Sequence, residues 1–139
     1  MLTLRRATQE DMPTILNILK ETDLLYPNLK PDSFWVAEIE GKIVGVVRVE
    51  EQADFALIEA LGILPQYQKQ GIASQLLAES TKDMLKDLYL YTIIPDYFKK
   101  LGFKPVDPPS FIPARKRYDC KECHPKQCVC LVRKVRHAA

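Results

Sequence analysis

Leu61-Gly62-Ile63-Leu64-Pro65-Gln66-Tyr67-Gln68-Lys69-Gln70-Gly71-Ile72-Ala73-Ser74-Gln75-Leu76-Leu77 reads as a strand that ends at a proline, a polar turn, and a helix that begins at once. Proline cannot donate to a sheet ladder, so it closes the strand, and the apolar residues after Gly71 return at helical spacing. The first amides of such a helix have no carbonyl behind them within the helix. They point outward at the positive end of the helix dipole, a geometry that receives a pyrophosphate. Gly71 lets the backbone approach the phosphates, and Ala73 is small enough not to obstruct them. A lone glycine turn of this kind is a weak signal, because most strand-turn-helix junctions only turn.

Working outward, Leu2 to Arg5 alternates as a first strand, and Thr8-Gln9-Glu10-Asp11 has the character of a helix N-cap with acidic residues in the first turn. Met12, Ile15, Leu16, Ile18 and Leu19 then form one apolar stripe. Tyr26 to Ser33, broken by Pro27 and Pro31, is a loop or short helix. Phe34 to Glu40 and Ile43 to Glu50 are rich in β-branched and aromatic residues and flank Gly41-Lys42, which predicts a hairpin; Phe55 to Leu64 is a third strand of this group. Beyond Gly71 the spacing predicts a helix from Ile72 to Lys86, a strand from Leu88 to Ile93, a short helix from Pro95 to Leu101, and strands at Phe103 to Val106 and Cys128 to Val135. The order β-α-(short α)-β-β-β-α-β-α-β-β is that of a mixed α/β (α+β) domain, a sheet flanked by helices. A Cys/Pro-rich loop at 107–127 precedes the closing strand, and a loop of that length in a compact domain is usually functional or disordered.

Length and composition set the bounds. With 139 residues, one core and a single domain over 1–139 are expected. The hydrophobic fraction of 47% and charged fraction of 27% are those of a globular protein, and no apolar run approaches the ~20 residues of a membrane span. The basic pair Arg5-Arg6 follows the first apolar residues and no long apolar stretch succeeds it, which argues against a secretory signal and for a cytoplasmic location without membrane partners. A net charge of +2 gives no support to nucleic-acid binding. The late clusters Arg115-Lys116-Arg117 and Arg133-Lys134-Val135-Arg136 read as solvated faces.

The run from Ile58 to Leu77 resembles motif A of the GNAT acetyltransferases, through Ile63, Pro65, Tyr67, Gln68, Gly71, Ala73, Leu76 and Leu77. The likeness continues in order with Phe34 to Glu38, with Ile43-Val44-Gly45, and with Tyr97-Phe98-Lys99-Lys100-Leu101-Gly102-Phe103 at the family's motif B. It implies a GNAT-like, mostly antiparallel twisted sheet of six to seven strands flanked by helices. It also implies an acetyl-CoA-dependent N-acetyltransferase, with the cofactor in a V-shaped opening between the strand ending at Leu64 and the one beginning near Leu88. Backbone amides of Gln68, Lys69, Gln70, Gly71, Ile72, Ala73 and Ser74 would then hold the pyrophosphate. Leu61 and Ile63 would pair with the pantetheine arm, the Ile63 N–H acting as an oxyanion donor. Phe98 would line the cofactor site. The Thr92 to Phe98 stretch is similar to a segment of N-acetylglutamate synthases and their short amino-acid acetyltransferase relatives, which shifts the expected acceptor toward an amino-acid α-amine and gives Arg115-Lys116-Arg117 a carboxylate to hold. A competing reading is a GNAT-like module that binds CoA without turnover. A homodimer is left open.

Attack on a thioester needs a neutral amine, hence a proton acceptor at pH 7. Glu59, two residues before Leu61 and expected on the same strand face, is the carboxylate best placed; otherwise it is a solvent-facing strand residue. Motif B departs from the family's pattern: phenylalanine stands at Phe98, where many relatives have a tyrosine that protonates the departing thiolate. Tyr97 or Tyr91 then substitutes, or the thiolate leaves unassisted; Tyr97 also fits a half-buried packing role. Cys120, Cys123, Cys128 and Cys130, with His124 beside them, fit a structural zinc site, reduced thiols or reversible disulfide bonding.

Overall fold

The computed structural model describes residues 1–22, 24, 31–92, 94–112 and 129–134. Its strands are β1 (Leu2–Arg6), β2 (Phe34–Ile39), β3 (Lys42–Glu51), β4 (Phe55–Ile63), β5 (Asp87–Thr92), β6 (Lys104–Pro105) and β7 (Val129–Arg133), and its helices α1 (Met12–Glu21), α2 (Ile72–Thr81) and α3 (Pro95–Lys99). The strands form one sheet in the order β1-β2-β3-β4-β5-β7-β6. Every pair is antiparallel except β4 and β5, which run parallel across the α2 connection. This is the mixed, mostly antiparallel architecture expected.

The strand β3 sits mid-sheet and is buried from Ile43 to Glu50, because helices α1 and α2 both pack on it. The side chains of Ile15, Ile18 and Leu19 from α1, Ile72, Leu76 and Leu77 from α2, and Phe98 from α3 join Val36, Val44, Val46 and Ile58 of the sheet in one core. The turn between β2 and β3 places Glu40 at φ +48° and Gly41 at φ +80°. Two successive left-handed residues match the strands' own twist, and glycine takes the second at no steric cost.

Two helix boundaries and the burial of Leu16 and Leu85 differ from the sequence reading. Thr8 caps a three-residue 3-10 turn, Gln9–Asp11, closed by a capping box with Asp11, and α1 starts only at Met12. Leu16, at the edge of the apolar stripe, is exposed while Ile15, Ile18 and Leu19 are covered. Helix α2 stops at Thr81, not Lys86: the Thr81 hydroxyl donates back to Leu77 O at 2.7 Å, and the chain turns through Met84 N–H to Thr81 O at 3.0 Å to reach β5. Leu85, expected inward, is consequently exposed.

Candidate functional site

The parallel ladder between β4 and β5 covers only Phe55 to Leu57 against Asp87 to Tyr89. Past Leu57 the strands part, and Ala60, Leu61, Tyr91 and Thr92 are only half-buried although they lie mid-sheet. A β-bulge follows within three residues of the last β5 pair. Ala60 has φ +56°, and the β3 register skips from Arg48 opposite Glu59 to Val46 opposite Gly62. An extra residue in one strand bends it and sharpens its twist, which carries β4 away from β5. The Leu64 N–H donates to Val44 O at 2.9 Å, so by antiparallel alternation the N–H and C=O of Ile63 turn to the other edge, toward the opening.

At the wide end of this opening stands the start of α2. Its N-cap, Gly71, has φ +81° and Lys69 has φ +64°, so the turn coils tightly before the helix. The bond from Gln75 N–H to Gly71 O, 3.1 Å, begins the helical ladder, which leaves the amides of Ile72, Ala73 and Ser74 with no carbonyl four residues back. No acidic side chain lies in that first turn. The turn is braced by Gln68, whose amide donates to Ile63 O at 2.9 Å. Outward amides, a left-handed glycine and the absence of local negative charge together fit a phosphodiester group.

Of the motif-B pair, Phe98 is buried in the core with its ring edge-on to Phe103 and Tyr97, and Tyr97 carries the polar atom. The Tyr97 hydroxyl lies 2.9 Å from Ser74 Oγ, which joins α3 to the first turn of α2. The structure therefore joins Tyr97 to Ser74 at the start of α2 and Gln68 to Ile63 at the end of β4, and gives Phe98 a packing position.

Glu59 is neither solvent-facing nor on the face expected. Because of the bulge, Glu59 and Gly62 lie opposite β3 residues two apart, and Leu61 falls out of the simple alternation. The Glu59 carboxylate is buried and accepts from Arg48 Nη1 at 2.5 Å. Arg48 is 1% exposed and donates in addition to Glu50 at 3.4 Å, to Asp32 O at 2.9 Å and to Asp32 Oδ1 at 2.8 Å. Burial works against its charge, but the bonds to Asp32 and Glu50 and the nearby Glu59 carboxylate outweigh that and hold the guanidinium above its ordinary pKa. Sequence reasoning passed over Arg48 and Asp32. The available signal was an arginine inside the apolar run Ile43 to Val49, since a cation at a buried strand position requires carboxylates around it.

A family model for the Acetyltransferase (GNAT) domain matches residues 30–105. The chain belongs to the GNAT acetyltransferases. An acetyltransferase of Pectobacterium atrosepticum is 29% identical over 89 residues, which cover 55% of this GNAT chain and 63% of that protein. Among solved structures, N-acetylglutamate synthase from Neisseria gonorrhoeae, complexed with coenzyme A and L-arginine, superposes with a TM-score of 0.77 at 22% identity, over 98% of this chain and 34% of that one. The ribosomal-protein-S18-alanine N-acetyltransferase of Escherichia coli gives 0.74 at 18% identity over 100% and 97%. The GNAT chain thus spans about a third of the synthase it resembles and under two thirds of its curated relative.

Several expected features of this GNAT domain lie outside the described residues: Cys120, Cys123, Cys128, His124 and the Arg115-Lys116-Arg117 cluster. Cys130 is described, and it is buried on β7 opposite Tyr91, in a small cluster with Leu57, Tyr89, Ile112 and Val132. Among the described residues no group of His, Cys, Asp or Glu could hold a metal, so the structural zinc finds no support there. No helix among them is long and apolar enough to cross a membrane.

Proposed function

We propose that this GNAT domain moves an acetyl group from acetyl-CoA to a primary amine, an amino-acid α-amine being the favoured acceptor, by direct attack in a ternary complex. One observation carries the reading: β4 and β5 pair for three residues and then part, with the free amides of α2 at the open end. An extended thioester-bearing chain fits there with its pyrophosphate on Gly71 to Ser74 and its arm along the open edge of β4. The amine nitrogen bonds to the thioester carbon while the Ile63 N–H stabilises the oxyanion, and the C–S bond then breaks. Glu59 takes the amine's proton through water, and Tyr97 supplies the proton to the thiolate. Coenzyme A in the gonococcal synthase complex supports the choice of donor, and the N-acetyl-glutamate bound with coenzyme A in a second complex of that synthase supports the acceptor class.

The alternative of binding without turnover rested on the missing motif-B tyrosine, and the Tyr97 hydroxyl at Ser74 weakens it. Purified protein with acetyl-CoA and a panel of L-amino acids, amino-acid amides and diamines tests the reading through release of free thiol. Amine-dependent thiol release is the expected result. Tight acetyl-CoA binding with no release for any amine would leave the non-catalytic module standing.

A further inference from the structure

Of the stretch between α1 and β2, the described residues at its start lie on β4 and those at its end are held by β3. At its start, Thr22 and Leu24 lie over Gly62 so closely that a Cβ there would meet Leu24 Cδ1 at 2.8 Å and Thr22 Oγ1 at 2.9 Å. At its end, Asp32 is gripped twice by Arg48, through its carbonyl and its carboxylate, while Ser33 accepts from Val49 N–H at 3.1 Å.

We infer that Arg48 is a positioning residue that couples Asp32, at the entry to β2, to the buried carboxylate of Glu59 on β4. The inference rests on the acetyltransferase reading above and assigns it a mechanical link. A guanidinium is planar and rigid, and its Nε and Nη2 are committed to Asp32 while Nη1 holds Glu59. A shift of Asp32 therefore swings Nη1 relative to Glu59, and the proton acceptor keeps its place only while Asp32 holds the guanidinium. A lysine in its stead would offer a point charge without the fork. Exposure supports the same division of labour: the Asp32 side chain is 70% exposed, whereas those of Arg48 and Glu59 are 1% and 4%. Asp32 is thus the end of the link that an entering acceptor can reach.

The test is a double-mutant cycle on acetyl transfer with Asp32→Asn and Glu59→Gln, using acetyl-CoA and the fastest amine of the panel. Asp32→Asn is expected to fold, because its side chain is mostly in solvent, and to lower kcat/KM for the amine ~3–10-fold with acetyl-CoA affinity unchanged. The double variant should be no more than ~2-fold worse than Glu59→Gln alone, since once the proton acceptor is gone its placement no longer counts. Arg48→Lys should fall between wild type and Arg48→Gln in kcat, while all folded variants bind acetyl-CoA alike. Factors for Asp32→Asn and Glu59→Gln that simply multiply would overturn the coupling, as would an Arg48→Lys enzyme equal to wild type. Wild type without turnover on any amine would instead remove the acetyltransferase reading and this inference with it, so the two failures are distinguishable.

Discussion

The two edges of β4 are built from the same nine residues and do opposite things. Along β3 the ladder runs from Ala56 to Ile63 with one bulge; along β5 it ends after Leu57. The paired edge joins Ile58 and Ile63 to the common core and buries the Arg48–Glu59 ion pair. The open edge leaves the β4 main chain past Leu57 without a β5 ladder. A cofactor site made of backbone depends on the strand's path more than on its side chains, and the paired edge is what holds that path.

The largest effect that would break this division is expected at the open edge. Gly71→Asp puts a carboxylate among amides meant for phosphates and a Cβ on a residue at φ +81°. Acetyl-CoA affinity should fall more than ~10²-fold by calorimetry, with the paired edge intact and the melting temperature nearly kept. Gln68→Ala, which removes only the brace on Ile63 O, should cost less than ~5-fold. An unchanged affinity in folded Gly71→Asp would remove the basis for the site.

Glu59→Gln comes next, because that residue belongs to the paired edge by packing and to the open edge by its proposed role. We expect kcat to drop ~10²-fold with acetyl-CoA affinity unchanged, the defect shrinking as pH rises past the pKa of the acceptor amine. Equal rates from pH 6 to 9 with chemistry limiting would assign Glu59 to the Arg48 network alone.

Tyr97→Phe sharpens the comparison further. It deletes the hydroxyl at Ser74 and keeps the ring against Phe98. A fall of ~10-fold in kcat with little change in melting temperature is expected. Loss of stability without loss of rate would make Tyr97 a packing residue.

The smallest effect lies away from both edges, at Arg5, Asp11 and Glu38. Hydrogen bonds from Arg5, then from the Thr8 amide, hold the Asp11 carboxyl well below its ordinary range, and the pair is 2.9 Å apart. A depressed carboxylate contributes stability above its unfolded pKa of about 4, and loses it as pH falls toward the folded value. Asp11→Asn should therefore cost ~1 kcal/mol or less near neutrality, given partial exposure, and the gap in melting temperature from wild type should close in acid. A gap that stays constant from pH 7 to pH 3 would assign the loss to the capping box instead.

The strand order and the α2 junction were legible because they follow from local rules: β-branched runs, a proline at the strand end, a glycine before helical spacing. The end of α2 was not, since Met84 and Leu85 continue the apolar spacing while the turn back to β5 depends on the hydroxyl of Thr81. The bulge at Ala60 was invisible for a similar reason. Nothing in Glu59-Ala60-Leu61 announces a left-handed alanine, and that one residue decides which face Glu59 takes. Arg48 was legible in principle, yet its partners come from Asp32, Glu50 and Glu59, which only the register brings together.

The sheet order has a consequence during synthesis. Strand β7 lies between β5 and β6, so the outer edge of β5 acquires its neighbour only when Val129 to Arg133 have been made. At about 5–20 residues per second, the chain between Thr92 and Val129 takes a few seconds to emerge. For that interval Leu88 to Thr92 present an unpaired apolar edge, the part of the nascent chain most open to joining a strand of another molecule.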